Sequence, residues 1–237
     1  MGKTKKLSYR SRILSMFVVA FVVSAVAMIG TAAADRYPDW GDAPDPTYPT
    51  LNTSNGANHE SSCYYLGVNL DGEVNGQPDS TATGDDTNGS GSDDEDGVTF
   101  TSVLTPGSTA TVDVTAHVPS GCNGGNLSAW IDFNADGDWS DTDEQIFTDM
   151  QLTAGLNTLM FDVPSNATTG ATFARFRFCN DSGMCSSYTG PASNGEVEDY
   201  MVNIEDPGIP EFSSIAIPVA AILGLMFFFN YRKRRRD

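Results

Sequence analysis

Basic charge is nearly missing from most of this 237-residue chain. Of its 13 Lys and Arg residues, ten lie in the two ends, 1–34 and 212–237, and only Arg36, Arg175 and Arg177 lie between them. No lysine occurs from 35 to 211, and 30 of the 31 acids are there, so this segment carries a formal charge of −27. Without a basic patch, nucleic acid is excluded as a partner. The same composition keeps a protein hydrated in concentrated salt. Histidine is scarce too. His59 and His117 stand apart and no CxxC occurs, so there is no donor set for a zinc site. HExxH, GxSxG, the Walker loop and GxGxxG are all absent, which removes the usual signatures of metalloproteases, serine hydrolases and nucleotide enzymes. The chain is expected not to be an enzyme. A hydrolase would have to use two carboxylates facing each other across a pocket, one with a raised pKa. Nor does any stretch before residue 212 show a helical period.

The two ends give the chain an address. Residues 1–34 hold five basic residues, then the apolar run "ILSMFVVAFVVSAVAMIG", then "TAAAD". Ala32 and Ala34 fit the small-x-small cleavage pattern, so residues 1–34 read as a signal peptide; the run is long, and the alternative is an uncleaved anchor. At the other end no charge occurs from Phe212 to Phe229, enough to span a ~30 Å hydrocarbon core as a helix. The following "RKRRRD" belongs on the cytoplasmic side. Residues 212–237 are thus expected to be one transmembrane helix with a basic tail, and 205–211 ("EDPGIPE") a tether. The protein between these ends would be extracellular, on the cell surface, anchored to the membrane at its C-terminus. Sequons at Asn52, Asn88, Asn126, Asn166 and Asn180 suit a glycoprotein outside the cell.

Four cysteines fit the same compartment, where two disulfides have three possible connectivities. Cys179 and Cys185 bracket the turn "CNDSGMC" and are the expected local pair, with Cys63 and Cys122 as the other two candidate disulfide cysteines.

Residues 35–97 are rich in Asp, Pro, Gly, Asn and Ser and read as a loop-rich acidic part with one short strand at "YYLGVNL". Residues 98–204 differ. Seven β-rich runs, "VTFTSVL" to "VEDYMVNI", are separated by Gly, Pro, Asn and Asp. In "TATVDVTAHV" the apolar Ala110, Val112, Val114, Ala116 and Val118 alternate with polar residues, the mark of a half-buried strand. The expected fold is all-β, an antiparallel β-sandwich of Ig-like or jelly-roll-like type.

Three acidic groups are candidate sites. In "DFNADGDWSDTDE" (132–144), Asp132, Asn134, Asp136 and Asp138 stand at alternate positions with Gly137 between. Such a spacing wraps a chain around one calcium ion in EF-hand loops. The closing position holds Asp143, with Glu144 one further on, so the register departs from that loop. The segments around it read as strands, so the loop would be a clip between strands and not a helix-pair switch. A second, weaker set joins Asp85, Asp86, Asp93, Asp94, Glu95 and Asp96 with Asp71 and Glu73; a divalent cation would neutralise and order it. Third, Arg175 and Arg177 share one face of "ATFARFRF", while Glu196 and Glu198 share one face of "GEVEDY" with Tyr200. If the strands adjoin, an Arg–carboxylate pair with Glu196, Glu198 or Asp199 is expected; the alternative is a carboxylate cluster that binds metal or sugar.

At "GEVEDY" (195–200) the sequence resembles the GEVED-domain family of secreted and surface proteins. The likeness extends over "DWGDAPD" (39–45), "GANH" (56–59), "DGEVNGQPD" (71–79), "DDEDGVTF" (93–100) and "AWIDFNADGDW" (129–139). "PEF", Pro210, Glu211 and Phe212, followed by an apolar span and basic tail, resembles the PEF-type archaeal sorting signal. The resemblance implies a surface protein processed by an archaeosortase-type enzyme and held at the membrane. It implies no reaction. The expected function is a non-enzymatic structural or adhesive module with calcium as cofactor, its partners the membrane and cell-surface glycans or other surface proteins. The alternatives are a carbohydrate-binding module, with Trp40, Trp130, Trp139 or Tyr188 as an exposed stacking platform, or an extracellular hydrolase.

Overall fold

The computed structural model describes residues 37–70, 72–84 and 94–208, and short helical stretches between 222 and 232. The expectations for residues 1–34, for Asp71, Asp85, Asp86 and Asp93, and for Pro210, Glu211 and Phe212 lie outside the described residues. No helix among the described residues is long and apolar enough to cross a membrane.

The fold is all-β and built from two sheets. Its strands are β1 (Asp39–Trp40), β2 (Asn58–Ser61), β3 (Tyr65–Leu66), β4 (Val98–Phe100), β5 (Thr109–His117), β6 (Gly125–Ile131), β7 (Gln145–Leu152), β8 (Gly155–Asp162), β9 (Gly170–Cys179) and β10 (Pro191–Ile204). One sheet runs β1-β2-β10-β9-β6-β7. The other centres on β5, with β3 and β4 along one edge and β8 along the other.

The core follows from alternation. In β5, Ala110, Val112 and Val114 are fully buried while their neighbours face outward. They meet Leu127, Ala129 and Ile131 of β6 and Ala174, Phe176 and Phe178 of β9 in a single cluster between the sheets. Burying the valine, leucine, isoleucine and phenylalanine side chains among them stabilises by about 1.5–3 kcal/mol each.

β9 does not alternate in burial. Arg175 and Arg177, which point away from the core, are 0% and 1% exposed. The 37–60 segment and the turn before β10 lie over this outer face, and their carbonyls receive the guanidinium donors. The acidic N-terminal part is therefore a fitted cover on the sheet. Its strands β1 and β2 carry no apolar alternation, and for that reason the sequence does not reveal them. β2 also corrects the expectation of a purely antiparallel arrangement, because it pairs in parallel with β10, Asn58 against Pro191 and His59 against Ala192.

The disulfide Cys179–Cys185 is formed at the end of β9. The second expected disulfide is not: Cys63 and Cys122 are free and exposed. The Tyr64 hydroxyl is hydrogen-bonded to Cys122 and its pKa is pushed up to about 12, first by that bond and then by burial.

Candidate metal centre

The acidic loop 132–144 joins β6 to β7, and the side chains within it divide their roles. Asp132 is fully buried and shapes the turn. Its Oδ1 accepts from the Ala135 amide at 2.6 Å, and its Oδ2 accepts from the Gly137 amide at 3.0 Å and the Tyr48 hydroxyl at 2.6 Å. Asp136, Asp138 and Asp141 bring carboxylate oxygens within 4.8 Å of one another. The Asn134 amide donates to Asp136 at 3.1 Å and to Asp141 at 2.6 Å. It thus sets a partial positive charge where three carboxylates converge, the place a cation would take. Glu144 is buried; its Oε2 accepts from the Asp141 amide at 3.1 Å and its Oε1 has no hydrogen-bond partner. Burial pushes its carboxyl up to about 7, with help from the charges of Asp132, Asp141 and Asp136. A cavity of about 250 Å³ opens beside it, lined by Asn134, Asp141, Asp143 and Glu144 among others. Asp143 is exposed in a left-handed turn (φ 73°) and is not one of the grouped carboxylates.

The donors fit a hard, oxygen-binding ion. Asp141 is the member that sequence spacing missed, because it falls after the alternating run and before the closing position at 143. The loop is tied to the sheet by Trp139, which packs at a tilt against Tyr48 (4.5 Å between centroids), lies with its ring 4.7 Å from the Arg175 guanidinium, and donates Nε1–H to the Phe173 carbonyl.

The second acidic set does not assemble as one site among the described residues. Asp96 caps the 67–69 turn, accepting from the Val68 and Asn69 amides at 2.8 and 3.2 Å. Glu73 accepts from the Trp40 amide at 3.1 Å. Asp94 goes elsewhere, to a buried group with Asp39 and Glu196.

In β10 the acids and the tyrosine of "GEVEDY" each engage other groups of the chain, although Glu196 Oε1 has no hydrogen-bond partner. Gly195 lies so close to β9 and β2 that a Cβ would stand 2.1 Å from the Phe178 carbonyl oxygen and 2.5 Å from His59 Nδ1. The Leu66 amide donates to Glu196 Oε2. Glu198 Oε1 accepts from the Gly97 amide at 2.8 Å, and its Oε2 from the Tyr200 hydroxyl at 3.1 Å. The Val197 amide donates to Asp39 at 2.6 Å. Asp199 takes a bidentate pair from Arg175, Nε to Oδ1 at 2.7 Å and Nη2 to Oδ2 at 2.6 Å, and the Asp42 and Ala43 amides also donate to its Oδ2. Gly41 permits that approach, since a Cβ there would be 2.4 Å from Asp199 Oδ2.

Arg175 therefore pairs with Asp199 and not with Glu196 or Glu198. The register explains it. Asp199 stands opposite Arg175 and Val197 opposite Arg177, whereas Glu198 and Glu196 stand opposite Phe176 and Phe178 on the other face. Arg177 instead donates Nε–H to His59 Nε2 at 3.0 Å and its remaining donors to the carbonyls of Asn58, Ser187, Thr189 and Gly190. His59, expected in a loop, is a fully buried strand residue held neutral by burial and by the two arginines. Trp40, Trp130 and Trp139 are all buried, at 7%, 2% and 2% exposure, so they form no stacking platform.

Comparison with known families places these features. Residues 126–203 match the GEVED domain, and residues 209–234 match the PEF-CTERM archaeal protein sorting domain. No curated protein and no solved structure matches the chain. The chain carries a GEVED domain followed by a sorting signal, which implies processing by an archaeosortase and a membrane-anchored place at the cell surface.

Proposed function

We propose that this GEVED-domain protein is a non-enzymatic structural or adhesive module of the archaeal cell surface, stiffened by calcium. The observation that carries the reading is where the motif's polar groups go. Glu196, Glu198, Asp199 and Tyr200 all hold backbone amides or neighbouring side chains of the same chain. A motif engaged in that way builds a rigid body; it presents no reactive group to solvent. The buried tryptophans weigh against the carbohydrate-binding alternative. Calcium is supported by the grouped Asp136, Asp138 and Asp141 and by the bare buried oxygen of Glu144. An ion there would tie the ends of β6 and β7 together and relieve mutual repulsion among the acids.

Deletion in the native host tests the role. Cells lacking the protein are expected to lose envelope integrity or cell–cell attachment and to regain it with the wild-type chain. Unchanged envelopes and attachment would count against the reading. Mass spectrometry of the mature protein tests the anchor, since processing at "PEF" removes the "RKRRRD" terminus. An intact tail would mean an unprocessed chain.

A further inference from the structure

Three further acids gather away from the loop. Asp39 of β1, Asp94 just before β4 and Glu196 of β10 are 1%, 4% and 0% exposed. Each offers a carboxylate oxygen, and the three oxygens lie within 4.8 Å of one another. Two oxygens that ligate one calcium ion at about 2.4 Å can stand no further apart than about 4.8 Å. The second observation is Glu196 itself. One of its oxygens accepts from the Leu66 amide, but Oε1 is buried with no hydrogen-bond partner. An ionised carboxylate left in that state is strongly disfavoured. The sandwich's own cations are engaged elsewhere, Arg175 with Asp199 and Arg177 with His59 and four carbonyls. Burial, and then the charges of Glu198, Asp39 and Asp94, hold the Glu196 carboxyl well above the usual range.

We propose that Asp39, Asp94 and Glu196 bind a divalent cation at a site separate from the 132–144 loop, and that this ion fastens β1 and the 94–97 segment to β10. The donors are all carboxylate oxygens from segments distant in sequence. That set suits calcium, which accepts irregular oxygen cages, better than magnesium, which demands a near-ideal octahedron and keeps its waters. The site lies where the two sheets meet. Glu196 also holds Leu66 of β3, and the adjoining Gly97 amide sits on Glu198. An ion here would make closure of the N-terminal cover over the GEVED strand depend on calcium.

The test is calorimetric calcium titration of the full-length protein after stripping with chelator, alongside melting curves. The double variant Asp136→Asn, Asp138→Asn removes loop ligands and provides the background. In it, calcium binding should persist, with fewer ions bound than in wild type. Adding Glu196→Gln should abolish what remains. Alone, Glu196→Gln should melt at or above wild type in chelator, most clearly at high pH where the buried carboxyl would be forced to ionise, and below it in calcium. Asp94→Asn gives a second reading should Glu196→Gln fold poorly. The proposal is overturned if the loop variant binds no calcium. It is equally overturned if Glu196→Gln and Asp94→Asn leave both the stoichiometry and the calcium-induced rise in melting temperature unchanged. A loop variant indistinguishable from wild type would sink the loop reading and leave this site to the Glu196→Gln result.

Discussion

The two faces of β10 carry acids that meet opposite fates. On the outer face Asp199 is matched inside the protein, by a bidentate arginine and two backbone amides. On the inner face Glu196 and Glu198 are equally buried but stand among other acids. Burial pushes the Glu198 carboxyl up to about 8. A −27 segment with three arginines cannot neutralise every buried acid from its own sequence. Among the described residues the two arginines serve the outer face and no ion pair reaches Glu196 or Glu198, so staying protonated or taking a cation would each relieve the burial of these acids. A buried ion pair and a buried metal site are two answers to the same desolvation cost.

The largest expected effect is on the internally matched outer face. Arg175→Ala should destabilise the protein by about 3–5 kcal/mol, because it leaves Asp199 buried and uncompensated. Denaturant unfolding would measure it, and the loss should be the same in calcium and in chelator. The unmatched side predicts a pH effect. Glu196, Glu198 and Glu144 all have folded pKa values above their ordinary 4.5, the latter two at about 8 and about 7. The unfolded chain therefore releases these protons first, and the fold loses stability as pH rises from about 4.5 toward 8. In chelator the melting temperature should be lower at pH 8 than at pH 5, and calcium should shrink that difference. Equal melting temperatures at the two pH values would remove the claim that the inner acids lack a matched charge. A smaller effect concerns the end of β9, where Cys179 stands opposite Gly195. Reducing the Cys179–Cys185 bond, whose loop spans a sequence separation of 6, should cost about 2 kcal/mol on loop-entropy grounds. The smallest effect is at Asp143. Its change to Asn, which tolerates the same left-handed backbone, should move stability by less than about 0.5 kcal/mol and leave calcium binding unaltered, because the residue is exposed and outside the grouped carboxylates.

Sequence made some of this legible and hid the rest for physical reasons. Alternation marked β5, because one face of that strand meets the core and the other meets water. The DxNxDG spacing marked the 132–144 loop, because the acids that gather there are close in sequence. Shared faces were legible too: Arg175 with Arg177, and Glu196 with Glu198. Which faces coincide depends on register, and a shift by one residue reverses it; hence Asp199, not Glu198, is the arginine's partner. β1 and β2 were hidden because backbone pairing and the His59–Arg177 contact hold them, not an apolar stripe. The Asp39–Asp94–Glu196 group was hidden because its members are brought together from three distant segments by the fold itself.

Buried and clustered carboxylates are proposed to make this fold depend on calcium. Thermal unfolding of the full-length protein in calcium and in chelator, at one fixed high ionic strength, tests it most directly. A ligand bound by the folded state alone at a hundredfold excess over its Kd adds about 2.7 kcal/mol. The account predicts a clearly higher melting temperature in calcium, not reproduced by an equal ionic strength of sodium. The same melting temperature in calcium and in chelator would contradict it.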